Sequence, residues 1–178
     1  MTWAYQPMTA GLAAAQNKDW VKTATLISQS SARDPSFTFY QTDAGLAWSR
    51  AWLSSGDPQA LQKARLYLEK SLEIEPSVSL LWADLAVLHW YGGDRPAAFN
   101  AIRQAIRISP SEPSYHLNLA WFEEQTGENQ LSAIDYQKVL DLSPSWSTHP
   151  FFSKTSLRRL ALEAWKNQNQ ALIDQAQS

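Results

Sequence analysis

Residues 81–94 read LWADLAVLHWYGGD. One histidine, two aspartates, a tyrosine and two tryptophans lie within this stretch, and these residue types build acid–base sites, metal sites and ligand platforms. A metal site needs ligands that converge and a second shell that orients them. His89, His116 and His149 show neither H-x-x-H nor H-x3-H spacing, so no metal and no cofactor is expected. Glu123 and Glu124 are adjacent, and on a helix such neighbours point about 100° apart, which rules them out as an acid–base pair on one face. Gly92-Gly93 reads as an inter-helix turn rather than a phosphate loop. No G-x-S-x-G elbow occurs. The chain has no cysteine, which excludes thiolate catalysis, disulfides and Cys-ligated zinc. No catalytic residue is assigned, and the chain is expected not to be an enzyme. Lys154, Arg158, Arg159 and Lys166 make the tail mildly basic and read as a solvated face. Arg103 and Arg107 sit one helical turn apart on a second helix, on its outer surface.

The chain of 178 residues is long enough for one compact domain or a short repeat array. A net charge of −2 supplies no basic field, so nucleic-acid binding is not expected. No apolar run approaches the ~20 residues of a membrane span, so this chain is not expected to insert into a membrane. The N-terminus has no basic start before its apolar part and does not read as a signal peptide. Its first unit lacks a polar capping helix, as a chain cut from a longer one would.

Positioning comes from a repeat. Pro76, Pro110 and Pro144 are 34 residues apart, after SLEIE, AIRIS and VLDLS. At the same shift Leu85 meets Leu119, Ala86 meets Ala120, Gly93 meets Gly127 and Ile102 meets Tyr136. Apolar spacing near 3.6 within each unit predicts helices. Gly92-Gly93-Asp94 and Thr126-Gly127-Glu128 break each unit midway, and the proline closes it. Upstream, Ala44-Gly45, Trp48, Ala64, Leu68, Ser71 and Pro76 fit the same plan with seven extra residues around SSGDPQ (54–59). Ala10-Gly11, Ala14, Thr23, Ile27, Ser30 and Pro35 outline a weaker first unit.

The pattern resembles the tetratricopeptide repeat (TPR) family. Trp82, Leu85, Ala86 and His89, then Ala98, Ile102, Ala105 and Pro110, stand at the family's places in one unit. His116, Leu119, Ala120 and Glu123, then Ser132, Tyr136, Val139 and Pro144, stand there in the next. Ala replaces Gly and polar residues replace some aromatics. The resemblance implies an all-α solenoid of helix–turn–helix repeats over about 4–37, 38–78, 79–112 and 113–146, in one domain spanning 1–178. The tail, 147–178, is assigned as a C-terminal cap. Within it SWSTHPFF (145–152) reads as a packed extended segment. One or two amphipathic helices follow, with Leu157, Leu160, Ala161, Ala164 and Trp165 on one face.

The resemblance also implies that first helices line a groove. Trp82, Leu85, Ala86 and His89 then point into the core. The groove positions include Tyr5, Phe39, Leu46, Leu80, Val87, Trp90, Tyr91, Leu117 and Trp121, an apolar and aromatic set. Some family members grip C-terminal carboxylates with Lys, Asn and Arg in this groove. Met8, Thr42, Ala83, Leu117, Leu12, Leu46, Val87 and Trp121 hold those places here, so no such clamp is expected. The leading expectation is a non-enzymatic scaffold that binds an apolar protein or peptide segment. A free-standing scaffold would be cytoplasmic. W-A-D-L-A, Y-H-L-N-L-A and PSWSTHPFF are also similar to TPR regions of bacterial O-antigen ligase or polymerase-like membrane proteins. That alternative implies an extracytoplasmic accessory domain, with glycan stacked on Trp90 and Trp121. A third expectation is self-association through the repeat ends.

Overall fold

The computed structural model describes residues 2–177, and the side chains of residues 5–170. The fold is an all-α, TPR-like succession of helical hairpins, and no strand occurs among the described residues. The contacts gather into two compact units, Met1–Ile108 and Ser109–Ser178.

The first unit holds three hairpins. They are α1 (Thr2–Gln16) with α2 (Trp20–Arg33), α3 (Thr38–Ser55) with α4 (Pro58–Ile74), and α5 (Ser79–Tyr91) with α6 (Arg95–Ile108). Local chemistry sets the turns. Asp19 Oδ1 accepts from the Lys22 amide at 3.1 Å and opens α2. Asp57 Oδ1 accepts from the Gln59 amide at 2.9 Å and opens α4, with Pro58 in the first position. Gly56 closes α3 at φ 71°, a backbone region that other residues rarely adopt.

The seven extra residues form no loop. α3 has 18 residues against 14 in the equivalent α7, and α4 has 17 against 14 in α8. The four and three residues gained are close to one turn each, so both helices keep their faces.

Small residues let the paired helices approach. A Cβ on Gly45 would lie 2.5 Å from Leu68 Cδ2 and 3.2 Å from the Leu68 amide nitrogen. Leu68 is fully enclosed and has nowhere to retreat. At the same repeat place Ala86 and Ala120 are fully buried. The core of the unit joins Ile27 of α2, Tyr40, Ala44 and Trp48 of α3, Leu68 and Leu72 of α4, and Leu85 and Leu88 of α5. Burial of each large apolar side chain is worth roughly 1.5–3 kcal/mol.

A second device recurs where the chain leaves one repeat and enters the next. Gln41 Nε2 donates to the Pro35 carbonyl at 3.0 Å, and Trp82 Nε1 donates to the Pro76 carbonyl at 2.8 Å. In the second unit His116 Nε2 lies 3.0 Å from the Pro110 carbonyl. A carbonyl only accepts, so that nitrogen carries the hydrogen. Three unlike side chains thus place an N–H at one repeat position, six residues after the proline. This accounts for polar residues at the family's aromatic place.

The second unit contains one hairpin, α7 (Pro113–Thr126) with α8 (Asn129–Leu142), and a closing segment. Two 3-10 turns, Pro144–Thr148 and Pro150–Ser153, replace the extended segment expected there. One helix, α9 (Ser156–Gln177), follows. Phe152, Ala161, Leu162 and Trp165 close over Tyr136, Val139 and Leu140. Trp165 Nε1 donates to Asp141 at 2.9 Å. The inward face of α9 therefore runs through Arg158, Ala161, Leu162 and Trp165. Leu160, expected on it, is exposed instead.

Candidate functional site

Each first helix of the first unit buries one face and leaves a stripe at spacing i, i+4, i+7, i+11. On α1 the stripe is Tyr5, Thr9, Leu12 and Gln16. On α3 it is Phe39, Asp43, Leu46 and Arg50. On α5 it is Leu80, Asp84, Val87 and Tyr91. The positions match at shifts of 34 and 41 residues, the second including the seven-residue extension. Tyr5 (60%), Phe39 (53%), Leu80 (57%) and Tyr91 (58%) are large apolar side chains left open to solvent. Leu46 and Val87 are half-buried between them. Tyr91 stands 5.3 Å from Trp52 of α3, so α3 and α5 lie side by side here. Phe39 belongs to a small aromatic group with Phe37 and Tyr40 at the start of α3.

Trp90 departs from expectation. It is 4% exposed. The Arg95 guanidinium lies over its ring at 3.5 Å, and Phe99 meets its edge. An enclosed ring cannot stack a sugar, so Trp90 is a core residue here and not a platform. The few polar residues of helix α5, Ser79, Asp84 and His89, are scattered round it, so sequence alone could not assign its faces. Leu117 and Trp121 belong to the second unit. Leu117 packs against the α8–α9 core, and Trp121 is half-buried beside Phe122.

The stripes carry two carboxylates that the sequence reading passed over. Asp43 and Asp84 occupy one repeat position, and comparing the stripes in register would have found them. Both are half-buried. Burial raises both carboxyls above the usual aspartate range, and Asp84 is pushed up to about 6.

The second unit treats its carboxylate differently. Arg158 Nε donates to Glu124 Oε2 at 2.8 Å, Tyr136 Oη donates at 2.7 Å, and Thr155 Oγ1 donates to Oε1 at 2.8 Å. Burial pushes the Glu124 carboxyl up, but these donors and the Arg158 charge outweigh it and hold it below the usual range. Arg158 also lies over the Phe151 ring at 3.9 Å. Buried and paired, Arg158 is not part of the solvated face assigned to the tail.

Among the described residues no group of three His, Cys, Asp or Glu could hold a metal ion. His89 is packed, with Nε2 3.8 Å from Glu69, and burial pushes its pKa down. No helix among the described residues is long and apolar enough to cross a membrane.

No family model matches the sequence, and no curated protein matches it. Solved structures do match in fold. A crystal structure of MamA, a TPR-like helical protein, superposes at a TM-score of 0.73 with 15% identity, covering 98% of this chain and 94% of that one. MamA from Desulfovibrio magneticus RS-1, residue 41 to the end, gives 0.70 at 17% identity over 80% and 76%. MamA of MSR-1 gives 0.67 at 21% identity over 78% and 76%. At these identities the likeness concerns the fold.

Proposed function

We propose that this chain is a non-enzymatic scaffold that binds a protein segment along the open stripes of its first helices. One observation carries the reading. Three helices of one unit leave equivalent stripes on the surface, and those stripes hold Tyr5, Phe39, Leu80 and Tyr91, all more than half exposed. Aligned apolar side chains of this size mark interaction surfaces, and helical repeats present such surfaces to extended partners. The TPR-like fold supports the same reading.

The test is Phe39→Ala with Leu80→Ala, read by binding to peptides selected on the unaltered protein. Both side chains are open, so the fold is expected to survive and binding to fall at least tenfold. Unchanged binding by a folded variant would sink the assignment. As an accessory domain in polysaccharide assembly, the chain would stack sugar on Phe39 and Tyr91. Tryptophan quenching by oligosaccharides, without response to peptides, would favour that role. Light scattering over a range of concentrations tests self-association.

A further inference from the structure

We infer that the α3–α5 face docks a protein segment that sets Lys or Arg side chains among apolar ones, its cations meeting the Asp43 and Asp84 carboxylates. This rests on the scaffold reading and gives its partner a chemistry. Asp43 lies between Phe39 and Leu46 on its stripe, and Asp84 lies between Leu80 and Val87 on the next. Each carboxylate is therefore flanked by apolar groups on a half-covered surface. No hydrogen bond or ion pair to either is found among the described residues, although a half-buried charge is costly without a partner.

Arg50, on the same stripe as Asp43, lies over the Trp20 ring at 4.9 Å and forms no ion pair with that carboxylate. The two aspartates are left for a cation from outside. An apolar partner without charge would bury both carboxylates unpaired. An acidic partner or an anionic lipid surface would be repelled. A neutral glycan offers no countercharge. A basic residue flanked by apolar ones satisfies every group on the face.

The experiment selects a displayed library of random 12-residue peptides on the full chain. The selected peptides are then synthesised and titrated against the unaltered protein, against Asp43→Asn/Asp84→Asn and against Phe39→Ala/Leu80→Ala. The expected result is enrichment of Lys or Arg next to apolar residues. Affinity should fall at least tenfold on the asparagine variant, which keeps the shape of both side chains and removes a charge conflict. Selected peptides that are apolar without basic residues, or that bind the asparagine variant equally well, overturn this inference and leave the scaffold reading standing. Failure to select any peptide, or binding indifferent to the Phe39 and Leu80 changes, overturns both.

Discussion

Two carboxylates on first helices face opposite circumstances. Glu124 of α7 receives three donors, one from the neighbouring helix and two from the closing segment. Asp84 of α5 receives none among the described residues and sits among apolar neighbours. The same helical repeat thus uses one acid to fasten a cap and leaves another without a partner among the described residues. Burial alone does not distinguish a paired charge from an unpaired one. What distinguishes them is whether the chain supplies the counterion itself.

Breaking the fastened pair should have the largest effect. Arg158→Ala leaves the Glu124 carboxylate enclosed without its cation, and such losses cost about 3–5 kcal/mol. Denaturant unfolding should show that loss, and amide hydrogen exchange should rise first in residues 156–170. Pairing Arg158→Met with Glu124→Leu should recover much of it, because well-packed apolar pairs replace buried ion pairs at little cost. A loss below about 1 kcal/mol for Arg158→Ala would mean that the two acids are energetically alike.

The unpaired carboxylate should respond in the other direction. Asp84→Asn removes a half-covered charge and should stabilise the chain by about 1–2 kcal/mol at pH 7, after discounting the pKa shift for solvent screening. Thermal unfolding of the two proteins side by side checks this. A melting temperature that falls would show that Asp84 has an internal partner.

Acid should tell the two carboxylates apart. The Asp84 carboxyl is raised to about 6 in the folded chain, so its folded form holds a proton that the unfolded form has released between pH 4 and 6. Stability from this site is full below about pH 4 and is lost as pH rises through 6. Glu124 is lowered, so its contribution is present above the ordinary glutamate value and is lost as pH falls below it. Between pH 7 and pH 5 the protection of α5, with exchange rates corrected for their intrinsic pH dependence, should rise while that of α9 stays level. Below about pH 4 the protection of α9 should fall. Parallel changes in both helices would break the comparison. The smallest stability effect belongs to Phe39→Ala and Leu80→Ala, each about 0.5 kcal/mol by denaturant unfolding, because both side chains are more than half exposed.

The sequence carried the repeat plainly, because proline, glycine and small residues at a fixed shift each have a backbone or packing duty. It carried the hairpins for the same reason, and the tail by its apolar face as one or two helices, of which the chain forms one. It did not carry the direction of Trp90, since α5 has no polar side to orient it. It did not carry the pairing of Arg158, since an arginine in an amphipathic tail looks like any other until its partner 34 residues away is placed. The shared task of Gln41, Trp82 and His116 was also hidden. Those side chains share an N–H and little else, and a pattern of hydrophobicity cannot see a donor. Asp43 and Asp84 are legible in the sequence, because they hold one repeat position 41 residues apart.

The lengthened α3–α4 hairpin sets a rule for how such a chain can grow. Seven residues are close to two turns of helix, and divided between two antiparallel arms they return each arm to its starting phase. An insertion of two or five in one arm would instead rotate every later side chain on that arm away from its partner. Hairpins of this kind should therefore vary in length by steps, and the interlocking between neighbours should pass through each step unaltered. The chain can lengthen one rung of its ladder without cutting new joints.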